Sequence, residues 1–193
     1  MNWHKHSELD GEHAFLSPSK YHWLNYTDEK LRLSYQRHLA TLRGTELHAY
    51  AEQAIRLKRR QPRNSDTVNM YINDAIGLGM RPEQPLMYSG NCFGTADAIA
   101  FDEKRRMLRI HDLKTGEIPA HMEQLKIYAA LFFLEYANDL GLKDLHDVQI
   151  ELRIYQSSEI LVENPSSEEI EIIMDKIMDS DETICDERRK VGA

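Results

Sequence analysis

The sequence predicts an α/β fold: a mixed central sheet of about five strands with helices on its faces. Three observations carry that expectation. Two alternating segments, 94–101 and 108–116, flank a charged turn and read as an antiparallel pair. A long stretch after Pro119 is apolar over most of a helical circumference, which fits a helix buried against a sheet. The order of elements is helices, strands, a long helix, strands and a last helix, as in layered α/β domains. The 193 residues are expected to form one domain. Its core would span about 17–180, and the polar stretch 1–16, with His4, His6 and His13, reads as a loosely packed arm.

Each element has a local reason. Ser17 and Pro18 have the cap and first-turn chemistry of a helix that would carry Tyr21, Trp23 and Leu24 into a core. A second helix is expected over 28–42, with Leu31, Tyr35, Leu39 and Leu42 on one stripe. Gly44 should break it, and Thr45 should cap a third helix over 46–58. On that helix Leu47, Tyr50, Ala51, Ala54 and Ile55 form the apolar arc, and His48 and Glu52 sit one turn apart at its border. Ser65 and Asp66 lead into a short helix that ends at Gly77 and Gly79. Pro82 and Pro85 frame an irregular connection before a strand at 86–89, and Gly90-Asn91 is a turn. After the two central strands, Pro119 should open a helix that Gly141 ends. Strands follow at 148–155 and 159–162 across Ser157-Ser158, then a helix over 168–180 and a charged tail.

The central hairpin is where chemistry gathers. A four-residue loop, 103–106, places Asp102 opposite Met107 and therefore Asp97 opposite Asp112. Facing carboxylates repel across an antiparallel pair, so something must offset them, and a divalent cation can. Lys114, two residues beyond Asp112, shares its face of the strand. Two carboxylates and a lysine suit hard-cation chemistry with a cationic helper. A slip of one residue would turn one aspartate to the opposite face.

Composition narrows the classes. A net charge of −8 argues against coating nucleic acid by bulk electrostatics. Two local basic runs stand against that background: Arg56, Lys58, Arg59, Arg60 and Arg63, and Lys104, Arg105, Arg106 and Arg109. There is no apolar run of membrane-spanning length, and the first residues lack the apolar segment of a signal peptide. Cys92 and Cys185 form no Cys-x-x-Cys pair, so a reduced, cytoplasmic protein is expected. Phosphate-loop, dinucleotide-binding, His-Glu-x-x-His and Gly-x-Ser-x-Gly motifs are absent.

Taken together, Gly44-x-x-x-His48-x-x-x-Glu52, Gly94-x-x-Asp97, Asp112-Leu113-Lys114-Thr115-Gly116 and Gln124-x-x-x-Tyr128 resemble the successive motifs of the PD-(D/E)XK nuclease superfamily. The branch they resemble is the RecB-type nuclease domain with its phage and CRISPR-associated exonuclease relatives. That resemblance implies a restriction-endonuclease-like core and a DNA exonuclease dependent on Mg²⁺ or Mn²⁺. Asp97, Asp112, His48 and the Leu113 backbone carbonyl would hold the metal. Lys114 would orient the attacking water and stabilise the charge that develops, and Glu52 would support His48 or a second ion. Gln124 and Tyr128 would organise the site and touch the DNA backbone, with Arg105 and Arg106 as further DNA contacts. End processing in recombination or repair is the implied role. A recombinase, single-strand annealing protein or helicase would then be a separate chain, and a ring-forming oligomer is compatible. The four cysteines that bind an iron–sulfur cluster in the CRISPR-associated relatives are not present. The alternatives are a structure-specific endonuclease and a non-catalytic DNA-binding or assembly subunit with a nuclease-like fold.

Overall fold

The computed structural model describes residues 14–116, 118–142 and 144–191. Residues 1–13, which make up most of the expected arm and contain its three histidines, lie outside the described residues. The chain divides into two compact units, 1–45 and 46–193.

In the first unit, Pro18–Asn25 is a 3-10 helix in which the Trp23 indole N–H donates to the Ser17 carbonyl. Tyr21 and Leu24 are exposed rather than carried into a core. The next helix, α1 (Asp28–Arg56), does not stop at Gly44. Thr45 donates its hydroxyl to the Thr41 carbonyl instead of capping a new helix. A helical glycine costs about 1 kcal/mol relative to alanine. Burial of Ala51, Ala54 and Ile55 farther along the same helix outweighs that cost. Tyr35, Leu39 and Leu42, expected as packing residues, remain about half exposed, with Tyr35 edge-on to Phe15 at 5.0 Å.

The second unit holds one five-stranded sheet in the order β1-β2-β3-β4-β5. Its strands are β1 (Arg81–Ser89), β2 (Cys92–Asp102), β3 (Met107–Lys114), β4 (Gln149–Gln156) and β5 (Glu159–Glu163). All neighbours pair antiparallel except β3 and β4, which are parallel. A parallel pair needs a crossover, and α3 (Glu123–Tyr136) supplies it. The mixed sheet with flanking helices is the expected fold class. One face packs Leu108, Ile110, Leu152 and Ile154 against Leu125 and Phe133 of α3 and Ile170 of α4 (Ser167–Val191). The other packs Leu113 and Tyr155 against Ala51 and Ile55 of α1 and Tyr71 and Ile72 of α2 (Thr67–Gly77).

Three boundaries differ from the sequence reading. Pro82 and Pro85 lie inside β1. This is an edge strand, where a missing N–H can face away from the ladder. Helix α3 starts four residues after Pro119. The Gln156 side chain holds the preceding loop open by donating to the Gly116 and Ile118 carbonyls (2.6 and 2.7 Å) and accepting from the Ala120 N–H. Finally, α4 runs on through the charged tail, where Asp186–Arg189 and Glu187–Lys190 pair one turn apart. At the opposite edge of the sheet, β5 leaves Ile160, Leu161 and Val162 partly exposed.

Candidate metal centre and its lysine arm

The β2–β3 hairpin has the register that its loop length implies. Asp102 pairs with Met107, and the ladder continues to Ala98 opposite His111. It stops one step short of the two aspartates. There Asp97 accepts the Leu113 N–H at 2.9 Å through Oδ2, so its carboxylate takes the place of a strand partner. On the other side of β2, Pro82 pairs with Ala98 and Gln84 with Ala96. Glu83, between them and at φ 47°, is thereby placed beside Asp97. Helix α1 adds His48, whose Nδ1 lies 3.4 Å from Asp97 Oδ2.

His48, Glu83 and Asp97 thus each offer a donor atom, all within 4.8 Å of one another. Burial and the neighbouring Asp97 and Glu52 carboxylates push the Glu83 carboxyl above its usual range, against His48 and Arg56. Glu52 is engaged by Arg56 at 2.7 Å. The Tyr71 phenol of α2 is also held well above its ordinary value, by burial and by the fields of Asp97, Glu83 and Asp112.

Asp112 is 3% exposed. Its carboxylate contacts Lys114 Nζ at 3.0 Å through Oδ1 and 2.9 Å through Oδ2. Only the Oδ1 contact has hydrogen-bond geometry, which leaves Oδ2 a buried acceptor without a donor. Desolvation, and then repulsion from Asp97, raise the Asp112 carboxyl despite the lysine. Lys114 also donates to Gln124 Oε1 at 3.0 Å, and Gln124 Nε2 donates to the Tyr128 hydroxyl at 3.3 Å. The Tyr128 ring lies over Gly94, where a Cβ would come within 2.9 Å of Cε1. A chain of contacts therefore runs from Asp112 through Lys114, Gln124 and Tyr128 to Gly94.

Behind this face, His111 is fully buried, with Nδ1 3.2 Å from the Tyr155 hydroxyl. That hydroxyl donates to Asp74 at 2.7 Å, and Arg153 donates to the same carboxylate at 3.3 Å. Burial, with Arg153 and Arg109 nearby, lowers the His111 pKa to about 3, so the ring is neutral. These contacts tie β3, β4 and α2 together directly behind Asp112.

Of the residues singled out in the sequence, the structure gathers His48, Asp97, Asp112, Leu113, Lys114, Gln124 and Tyr128 in contacts around one end of β2 and β3. Glu52 lies at the border, within the field of Glu83. Arg105 and Arg106 sit on the turn at the other end of the hairpin. They face Asp102 at 3.8 Å and Asp147 at 2.7 Å. Glu83 is not among the residues that the sequence singles out, because Pro82 and Pro85 read as an irregular connection; the structure places it through the pairing of Pro82 and Gln84 with β2.

A divalent cation fits these residues. Two carboxylates with one imidazole are a donor set for a divalent transition metal such as Mn²⁺, while Mg²⁺ would take the carboxylate oxygens. His48, Glu83 and Asp97 converge within 4.8 Å of one another, and Asp112 Oδ2 accepts no hydrogen bond although the Lys114 ammonium lies 2.9 Å away. No protein-family model matches the chain, and comparison with curated proteins and with solved structures found no match either.

Proposed function

We propose that the chain is a divalent-metal-dependent nuclease, acting on DNA ends as an exonuclease. The observation that carries this reading is the juxtaposition of the buried Asp112 carboxylate, paired with Lys114, and the His48–Glu83–Asp97 cluster. His48, Glu83 and Asp97 would hold the cation, with the Asp112–Lys114 pair beside them. A bound Mg²⁺ or Mn²⁺ would neutralise phosphodiester charge and lower the pKa of a coordinated water.

The protein's own groups do the rest. Lys114 is fixed between Asp112 and Gln124, so its ammonium offers positive charge at a set position for a phosphate whose charge grows in the transition state. Gln124 and Tyr128 keep that ammonium from swinging away, which is a positioning role. Leu113, wholly buried, locks the peptide between Asp112 and Lys114 onto Asp97.

The test is a time course on linear duplex, linear single-stranded and closed circular DNA with Mg²⁺, Mn²⁺ or EDTA, using wild type and Lys114→Ala. Metal-dependent loss of linear DNA only, absent in the variant, is the expected result. Cutting of the circle replaces the exonuclease with an endonuclease, and unchanged activity in Lys114→Ala removes the proposal altogether.

A further inference from the structure

Helix α1, which carries His48, leads into a basic segment that the proposed site does not use. We infer that Lys58, Arg59, Arg60 and Arg63 form a binding track for the phosphate backbone of the nucleic-acid strand that the site acts on. The inference rests on the nuclease reading for the identity of the ligand, and on the following geometry for its place.

Most arginines near the sheet are spent on carboxylates: Arg56 on Glu52, Arg106 on Asp147, Arg109 on Glu151 and Arg153 on Asp74 and Glu151. Among the described residues, no carboxylate lies within salt-bridge distance of Lys58, Arg59, Arg60 or Arg63. All four are exposed. Four like charges within six residues repel one another in a chain that carries an excess of acids. A polyanion relieves that repulsion.

The segment is also built rather than loose. After α1, the Lys58 N–H donates to the Ile55 carbonyl and the Arg59 N–H to the Ala54 carbonyl, with Lys58 at φ 53°. This is a hydrogen-bonded helix stop of the kind glycine usually makes. Gln61 then fastens the loop on both sides. It accepts from the Tyr50 hydroxyl at 2.8 Å, exchanges two hydrogen bonds with Asn73 of α2, and donates to the Arg59 carbonyl. Gln61 is bound to the protein, while Lys58, Arg59, Arg60 and Arg63 around it are exposed, with the Arg60 guanidinium beside Gly77 of α2. Tyr50, 45% exposed, adds an aromatic edge beside them, the combination that single strands use for stacking.

His48, Glu52 and Arg56 are successive turns along one side of α1. At 1.5 Å per residue, the end of α1 at Arg56 lies roughly 12 Å beyond His48, about three to four nucleotide steps of a B-form strand, and the basic segment begins two residues later. A backbone lying on Lys58–Arg63 therefore reaches the metal cluster within one short oligonucleotide.

The test is binding of fluorescently labelled 20-nucleotide single-stranded and duplex DNA, in EDTA and in Ca²⁺, over a salt series. The variant is Arg59→Gln/Arg60→Gln/Arg63→Gln, which leaves Gln61 and Lys58 in place. A control with the same charge change elsewhere is Lys104→Gln/Lys176→Gln/Arg188→Gln. The track predicts that the first variant binds at least about tenfold more weakly at low salt. It also predicts that its slope of log affinity against log salt falls by up to about 2.7 for duplex or about 2 for single strands, while the control stays near wild type. Equal losses in both variants, or no binding by wild type in either condition, overturn the track.

Hydrolysis of bis(p-nitrophenyl) phosphate with Mn²⁺ separates the two readings, because that small diester needs the site but no track. Track-dependent binding without hydrolysis of DNA or diester keeps the surface and removes the nuclease. Hydrolysis with binding unaffected by the variant does the reverse.

Discussion

Gly94→Ala is the sharpest probe of the arm that holds Lys114. The added methyl would lie 2.9 Å from Tyr128 Cε1 and 3.5 Å from its hydroxyl, and the first contact is closer than real side chains tolerate. The ring cannot swing aside at low cost, because Tyr128 packs against the core that includes Leu125 and Ala129. Overpacking of this kind costs about 1–3 kcal/mol. At about 2–4 °C per kcal/mol for a chain of this size, the melting temperature falls by roughly 2–12 °C. Relief of the clash requires the ring to move by several tenths of an ångström. The hydroxyl is the acceptor for Gln124, which in turn holds Lys114, so the displacement passes to the ammonium. Misplacement approaching 1 Å costs on the order of 100-fold in rate. The assay is a double-mutant cycle with Tyr128→Ala, read by thermal melting and by DNA cleavage. With the ring gone the methyl meets open space, so Gly94→Ala costs little in the Tyr128→Ala background. Strictly additive losses in the two variants would refute the contact as the cause.

Three other outcomes follow from the same geometry. Glu83→Gln keeps the size of the side chain but removes one of three clustered donors, so calorimetric Mn²⁺ affinity falls by at least about tenfold, while melting in EDTA is unchanged or higher. The Asp112 carboxyl is raised in the fold by burial and by Asp97. The folded chain therefore holds that proton where the unfolded chain has lost it, and metal-free stability drops as pH rises from the unfolded carboxyl range through the raised folded value. Asp112→Asn, tested by urea titration in EDTA at pH 5 and pH 8, gains relative to wild type at the higher pH and loses DNA cleavage at both. Tyr155→Phe removes the donor to Asp74 and the partner of His111, at a cost of about 1.5–3 kcal/mol in urea unfolding, with metal affinity retained.

The sequence made the hairpin legible down to its register. A charged four-residue loop between two period-two segments leaves few ways to pair them, and Ala98 does face His111. It could not show that the ladder ends there, because Asp97 prefers the Leu113 N–H to a strand partner, and only the third dimension decides that choice. His48 was visible as a border residue of an amphipathic arc. Glu83 was hidden, since prolines on both sides argue against a strand unless the strand is known to lie at an edge. The same limit explains Gly44, where the burial that carries α1 past the glycine lies more than a turn away. Helix α3 starts late because Gln156, more than thirty residues on, ties down the loop before it.

The two borders of the sheet have opposite fates in a crowded solution. Along β1, two prolines remove donors, and Glu135 of α3 claims the Met87 N–H at 2.8 Å, so little is left for another strand to grasp. Along β5, Ile160, Leu161 and Val162 form an extended, partly exposed apolar run, flanked by Glu159 and by Glu163, which pairs with Lys126 at 2.6 Å. Self-association at high concentration should therefore start at β5, with Glu159 as its gatekeeper. Replacing Glu159 with a neutral residue would turn a tolerated border into a seed for aggregation without touching the metal centre.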